Sequence, residues 1–250
     1  MDKLSSWSDT WKLNFHPEKC KVLRLGTQNV VGNYKLSDKV LESTNCEKDL
    51  GVWMDNNLSF RDHIKQKVSK ATQLAGMIRR SFEYLDGPMF KQLFVTFVRP
   101  HLEYADSVWA PWSKELQKSI EQVQRTATRQ LPGFNKLGYK DRLKKLGLPS
   151  LSYRRKRSDM IQVWKMLNEW YDKDSCPKLT QAPGIGYTRG HSLKLQMPKC
   201  STKLRQNFFS SRIVSEWNNL TDDLVKSASL NIFKRKLDVA LESDMYNYNE

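Results

Sequence analysis

The spacing of apolar residues changes once along the chain, near residue 59, and this change sets the fold class. Beyond that point apolar residues recur every three or four positions, which is the period of one helix face. Before it, residues 20–25 alternate apolar and basic side chains, which is the period of a strand. The pattern predicts an α+β fold that is predominantly α-helical, with a small β unit at the N-terminus.

Capping and helix-breaking residues divide the helical region. Ser59 and Ser113 are N-cap candidates for its first and third helices. Gly87-Pro88 opens the second helix, whose apolar residues are Met89, Phe90, Leu93, Phe94 and Phe97. Pro100 must bend or stop this helix because proline donates no backbone hydrogen bond. Further helices are predicted at 139–146, from 152 onward, and around 209–220 and 230–241, with a loop-rich connector at 172–202.

The elements predicted in the first 58 residues are too few and too short to form a complete folded unit. Leu4, Trp7 and Trp11 share one face of a predicted helix at 2–11, and that face needs a surface to pack on. Three short strands are predicted, at 20–25, 33–37 and 50–54. Three strands and one helix bury little apolar surface, so we expect this unit to be the edge of a sheet whose other strands are missing.

The formal net charge of +15 indicates a polyanionic partner. The excess lies between residues 61 and 212, whereas the first 60 residues are balanced and the last 38 are slightly acidic. Nucleic acid is favoured over an anionic membrane surface, because neither a lipidation signal nor a strongly basic amphipathic terminal helix accompanies the charge. We therefore expect nucleic acid as the partner and no membrane.

The basic residues that we predict to contact a phosphate backbone lie on three helices. Four of them share the outer face of the helix that begins after Ser113, since about 100° separates successive residues. Others lie in the first turns of the helix from 152, where the helix dipole disfavours cations, and either a nucleic-acid phosphate or water would compensate them. The predicted contacts are Arg79, Arg80, Lys114, Lys118, Arg125, Arg129, Arg154, Arg155 and Arg157.

Other classes of protein find less support in the sequence. The four cysteines are widely spaced, which predicts reduced thiols in an intracellular protein, nuclear or cytoplasmic. Cys176, His191 and Cys200 give at most three zinc ligands at irregular spacing, so no metal site is expected. The four histidines lie far apart, whereas a nuclease or hydrolase would need a compact set of histidines and carboxylates. No apolar run approaches the ~18 residues of a membrane span.

Several stretches, which follow one another in the same order as in the family, resemble the downstream half of the reverse transcriptase of jockey-like non-LTR (LINE-type) retrotransposons. They are similar to that family's motif D, primer-grip hairpin, thumb signature and C-terminal region. In this order they are WKLNFHPEKCK at 11–21, KDLGVWMD at 48–55, VRPHLEYADSVWAP with IEQVQR at 98–111 and 120–125, and RGHS with FF and WN at 189–192, 208–209 and 217–218.

The resemblance implies three regions and a binding role. Residues 1–58 would be the remnant of the polymerase palm, 59–135 a helical thumb and 136–250 a helical C-terminal region. In the family, the aspartates that hold two Mg²⁺ ions lie upstream of motif D. The chain would thus be a fragment that binds RNA or an RNA–DNA hybrid without polymerising alone, and it would need no cofactor unless a palm completed it. Two alternatives remain: part of an active reverse transcriptase whose palm lies upstream, or a non-functional remnant of a retroelement.

The resemblance also gives roles to two residues of the N-terminal unit. Lys19 matches the motif D lysine, a proton donor to departing pyrophosphate, and that catalytic role is vacant without the palm. Gly51 lies in the primer-grip match, where a residue without Cβ lets the backbone approach a sugar-phosphate strand. A bulge or tight strand packing would use a glycine equally well.

Overall fold

The order of elements follows the change in periodicity. The structure, a computed structural model, describes residues 2–26, 32–36, 39–183 and 190–248. Within these ranges helices predominate and the strands are short, which confirms the predicted α+β, mainly helical class. The chain divides into two compact units, residues 1–63 and 64–250. The predicted boundary at 135, between thumb and C-terminal region, falls inside the second unit and stays a prediction.

Among its described residues, the first unit contains the helix α1 and pairs of short strands, and it ends within the first turn of the long helix that begins at Arg61. Parallel pairing joins β1 to β4, while β2 with β3 and β5 with β6 form antiparallel pairs. The predicted helix and the predicted strands near 20–25, 33–37 and 50–54 have counterparts, although Ser37 lies outside the described residues; β3, β4 and β5 were not predicted. The elements are α1 Asp2–Trp11, β1 Lys21–Leu23, β2 Lys35–Leu36, β3 Lys39–Val40, β4 Glu42–Thr44, β5 Cys46–Asp49 and β6 Val52–Asp55.

The apolar face of α1 is exposed. Leu4 is 49% accessible, Trp7 47% and Trp11 64%, so the expectation that this face packs is wrong for this chain. The ring of Trp7 lies 6.3 Å from that of Phe15, itself partly exposed. The apolar side chains of α1 therefore gain little from burial here.

Asp55, at the end of β6, prepares the start of the next helix. Its carboxylate accepts hydrogen bonds from the amides of Ser59 at 3.1 Å and Phe60 at 2.8 Å. Despite the cost of desolvation, these bonds hold the pKa of Asp55 below its ordinary value. Ser59, the predicted N-cap, lies two residues before the helix begins at Arg61, and its hydroxyl accepts the Arg61 amide at 3.3 Å.

The second unit is helical. One hydrophobic core joins α8, α10 and α12, where Trp164 stacks on Phe233 with ring centroids 5.6 Å apart and Trp217 is fully buried. In the described ranges no helix is both long and apolar enough to cross a bilayer. The helices are α2 Arg61–Ser81, which starts in the first unit, α3 Gly87–Leu93, α4 Arg99–Glu103, α5 Asp106–Trp109, α6 Lys114–Arg129, α7 Tyr139–Leu146, α8 Leu151–Leu167, α9 Lys203–Asn207, α10 Phe209–Asn218, α11 Asp222–Val225 and α12 Leu230–Ala240.

A π-helical turn, Phe94–Val98, joins α3 to α4. Pro100 follows in the first turn of α4, where its missing donor costs least. The helical path therefore continues past Pro100 into two short helices, α4 and α5, where the sequence predicted that Pro100 would bend or stop the helix. Phe97, one of the apolar residues of the predicted second helix, is 54% exposed, because the wider turn shifts the residues that face inward.

Candidate nucleic-acid interface

The outer face of α6 carries the basic row that its periodicity predicted. One side of this helix is buried and carries Leu116, Ile120, Val123 and Ala127. Lys114, Lys118 and Arg129 are exposed on the other, and Arg125 is half-buried. Among the residues that the structure describes, no ion pair joins Lys114, Lys118 or Arg129 to a carboxylate. We call Lys114, Lys118, Arg125 and Arg129 the α6 row.

An arginine from α7 adds positive charge at the C-terminal end of the α6 row. Arg142 is buried and donates to the carbonyl oxygens of Leu137 at 2.7 Å and Arg125 at 3.3 Å. Burial lowers the pKa of Arg142, and the nearby guanidinium groups of Arg125 and Arg129 lower it further. Sequence reasoning missed Arg142; the signal was an arginine between Tyr139 and Leu143 on the side of α7 that faces inward.

Arg79 and Arg80 lie in the last turn of α2, where a helix dipole favours cations. Both are exposed. Arg79 lines a cleft of about 210 Å³ together with Phe90 of α3, Ala127 of α6 and Gln130, the residue that follows α6. The structure thus brings Arg79 close to the C-terminal end of the α6 row.

The basic run at the start of α8 is neutralised by the protein itself. Arg154 forms a two-bond ion pair with Glu103, with Nη2 and Oε2 2.8 Å apart, and Arg157 pairs in the same way with Asp238, at 3.0 Å from Nη2 to Oδ2. Lys156 reaches two more carboxylates. We expected a phosphate or water to compensate this run; the structure instead supplies protein carboxylates.

Arg155 is the most deeply buried member of the run. Burial lowers its pKa, while the charges of Glu121 and Asp106 oppose that change. Glu121 also caps α8, because its carboxylate accepts the amides of Leu151 and Ser152, each at 3.1 Å. A buried anion at the N-terminus of α8 offsets the unfavourable placement of cations there.

Lys19 and Gly51 belong to the first unit. Lys19 is exposed in a 3-10 turn, Pro17–Lys19. Gly51 occupies the two-residue turn between β5 and β6, with φ of 43° at Leu50 and 85° at Gly51. Positive φ at both positions is characteristic of a type I′ turn, which favours glycine. The turn alone accounts for Gly51, and its contact with nucleic acid stays a prediction.

The described residues contain no group of three histidine, cysteine or acidic side chains placed to hold a metal ion. The cysteines are free thiols. His191 is buried, with Nδ1 accepting the amide of Leu193 at 3.2 Å and Nε2 donating to the carbonyl of Trp217 at 3.0 Å. Both ring nitrogens are therefore engaged. Arg189, part of the RGHS match, lies outside the described residues.

Comparison with known proteins gives one weak similarity. An uncharacterized protein of Caenorhabditis elegans is 27% identical over 114 residues, which cover 44% of this chain. The chain spans 58% of the length of that relative. No family model and no solved structure matches the chain.

Proposed function

We propose that the chain binds RNA or an RNA–DNA hybrid through the α6 row together with Arg79 and Arg80. The observation that carries this proposal is that Lys114, Lys118 and Arg129 are exposed on one helix face and form no ion pair with a carboxylate in the part of the chain that the structure describes. The basic run at the start of α8, by contrast, is paired with acids of the protein. Phosphates are the anions that such a line attracts, and they give affinity without reading the base sequence.

We further propose that the chain is the downstream part of a jockey-like LINE reverse transcriptase. Two features support this: a hairpin with a tight turn at the primer-grip match, and a helix at the IEQVQR part of the thumb match. The described residues offer no acidic group that fits the two Mg²⁺ ions of a polymerase. We therefore assign no polymerisation step to these residues.

A second candidate function is that of an active reverse transcriptase completed by an upstream palm. The exposed apolar face of α1 favours it, because additional strands would give this face a surface to pack on. Primer extension with Mg²⁺ should yield no product from the 250-residue chain and a product once the upstream segment is added. Primer extension by the 250-residue chain alone would contradict both the binding-fragment proposal and the proposal that an upstream palm completes the polymerase.

The binding proposal can be tested by salt titration. We expect log Kd for a labelled RNA–DNA hybrid to rise linearly with log salt, with a slope of about 0.9 per phosphate contact. The double variant K118E/R129E should raise Kd roughly tenfold or more and lower the slope by about two. Both side chains are exposed, so the unfolding free energy should change by no more than about 0.5 kcal/mol.

A matched control separates the α6 row from net charge. K203E/R235E makes the same charge change at exposed positions on α9 and α12. We expect this control to change Kd much less than the α6 variant. Equal weakening by both variants, or a Kd that hardly depends on salt, would refute the proposed interface.

A further inference from the structure

Two helices end at the cleft that Arg79 lines. α2 ends at Ser81 and α6 at Arg129, and residues from both helix ends and from α3 enclose about 210 Å³. Sites for drug-sized ligands usually measure about 300–1,000 Å³, so this cleft suits a smaller group. We define the α2–α6 cleft by six of the residues that line it, Ala75, Arg79, Glu83, Phe90, Ala127 and Gln130.

The inside of the α2–α6 cleft is apolar and its mouth is polar. Phe90 and Ala127 are buried, and Ala75 is half-buried. The polar lining residues, Arg79 and Gln130 among them, are exposed. Small-molecule sites combine an apolar lining with a few polar groups that fix the orientation of the ligand. A flat, uncharged ring with polar atoms along one edge matches this division.

Arg79 and Glu83 have opposite charges and line the same cleft, yet they do not pair with each other. Within the described ranges neither side chain forms an ion pair, and the side-chain amide of Gln130 makes no hydrogen bond. A group of donors and a group of acceptors are therefore held apart at the mouth of one cleft. A ligand that bridges them must offer acceptors to the guanidinium group and N–H groups to the carboxylate.

The charges around the α2–α6 cleft disfavour an anion inside it. The carboxylate of Glu83 repels a phosphate, and the C-terminal ends of α2 and α6 carry partial negative charge. Two exposed cations, Arg80 and Arg129, belong to the same helix ends, and Arg129 directly precedes Gln130. The cleft therefore suits a base, while the cations beside it suit the phosphates of the same strand.

We infer that the α2–α6 cleft binds one unpaired guanine base of a strand that the α6 row holds. This inference rests on the proposed function, because the row supplies the strand. Guanine presents O6 and N7 as acceptors for the guanidinium group of Arg79. Its neighbouring N1–H and N2–H groups donate to the two oxygens of Glu83, and such bidentate contacts to a charged group are strong. Adenine, cytosine and uracil have no such pair of neighbouring donors. In a duplex this edge is already paired, so the guanine must be unpaired.

The test compares three short oligouridine strands that differ in one central nucleoside, guanosine, inosine or adenosine. We expect Kd for the guanosine strand to be roughly tenfold lower than that for the adenosine strand. The inosine strand should lie between them, because inosine keeps O6 and N1–H and lacks the N2 amino group. This comparison uses the unaltered protein, so it does not depend on the folding of any variant.

Two variants test the cleft by different means. E83Q removes the carboxylate and should raise Kd for the guanosine strand to the level of the adenosine strand. Kd for the adenosine strand should not rise in E83Q, because the variant removes a negative charge beside the phosphates. A75L fills the cleft without a change of charge, and it should abolish the preference for guanosine while Kd for the adenosine strand stays within about twofold of the wild-type value.

E42Q is the matched control for E83Q. Glu42 is exposed on β4 in the first unit, so E42Q makes the same chemical change away from the cleft. We expect E42Q to keep the preference for guanosine. Equal binding of the guanosine and adenosine strands by the wild type, a preference that survives both E83Q and A75L, or an equal loss in E42Q would overturn the inference.

Failure of this inference differs from failure of the proposed function. If the α6 row binds nucleic acid and the cleft binds no base, K118E/R129E weakens binding of all three strands alike and the wild type shows no preference among them. If the row does not bind nucleic acid, K118E/R129E has no greater effect than its control K203E/R235E on any strand. A preference for guanosine that E83Q removes would then belong to the cleft alone, and the role of the row would be refuted.

Discussion

Two helices with similar basic runs, α6 and α8, use their cations in opposite ways. The α6 row faces solvent, and Lys118 and Arg129 lack a carboxylate within the described residues. The run at the start of α8 meets a carboxylate for almost every cation, as with Arg154 and Glu103. A run of lysine and arginine in a sequence therefore does not by itself identify a binding surface; the acids that fold against it decide.

The source of these acids is informative. Glu103 lies 51 residues before its partner, and Asp238 lies 81 residues after Arg157. The slightly acidic C-terminal segment supplies Glu216, Asp238 and Asp244 to α8. The positive charge at the start of α8 is therefore neutralised by carboxylates of the second unit, while that of the α6 row remains available to a ligand.

The largest effect should follow from breaking an ion pair on the α8 side. Asp159 of α8 holds Arg212 of α10 through two bonds of 2.9 and 3.0 Å, and both side chains are largely buried. D159A leaves the guanidinium group without its counter-charge, so we expect the unfolding free energy to fall by about 3–5 kcal/mol. Urea unfolding measures this change.

The apolar double variant D159L/R212M is the control for that pair. It removes both charges, so most of the lost stability should return. A loss below about 1 kcal/mol in D159A would mean that the α8 ion pairs do not hold the helices together. The claim that the charged residues of α8 stabilise the fold, in contrast to those of α6, would then fail.

The second-largest change in stability should come from Asp106 of α5, a buried acid that contacts Ser158 of α8 and whose charge is poorly compensated. Burial raises its pKa to about 6, above the value of 3.8 expected in the unfolded chain, and the nearby charge of Asp159 adds to this. The folded state therefore binds the proton more tightly. Its contribution to stability is present below about pH 4 and is lost as the pH rises through about 6.

D106N removes that charge while it keeps an oxygen for Ser158, whose hydroxyl lies 3.0 Å from Asp106. We expect D106N to be more stable than the wild type by about 1–3 kcal/mol at pH 7.5, with the difference shrinking towards pH 4. D9N, at an exposed acid of α1, serves as the control. A D106N protein that is less stable at pH 7.5 would show that the charge of Asp106 is needed by Arg155.

The smallest effect tests the comparison most directly. R157Q removes a cation that Asp238 already neutralises, so we expect a loss of about 1 kcal/mol in unfolding free energy. Kd for the RNA–DNA hybrid should stay within about twofold of the wild-type value. The α6 variant should show the reverse, with weaker binding and unchanged stability. If R157Q weakened binding as K118E/R129E does, the predicted contact of Arg157 with nucleic acid would be supported and the contrast between the two helices would fail.

The sequence predicted what depends on neighbours within one element. The two faces of α6 follow from its own periodicity, and the helix start at Gly87-Pro88 follows from local chemistry. The partners of α8 could not be predicted in this way, because many acids are available to each cation and only the packed chain selects one. The outward position of Phe97 was equally hidden, since it depends on a π-helical turn that a regular period of 3.6 does not anticipate.

The strands show the same limit. β5, Cys46–Asp49, has no alternation of apolar and polar residues, and its extended form depends on pairing with β6. The predicted strand at 50–54 included Leu50 and Gly51, which form the turn instead. The alternating segment at 20–25 was predicted, yet nothing in it indicated that it would pair in parallel with β4.

Glu121 gives α6 a second role, on the side that faces away from the basic row. Its carboxylate holds the first amides of α8, so a cut or truncation near residue 135 would leave a buried acid and two donors without their partners. A thumb expressed without the following helices should therefore be hard to obtain in folded form. In hydrogen-exchange experiments the amides of Leu151 and Ser152 should become labelled only when α6 itself opens.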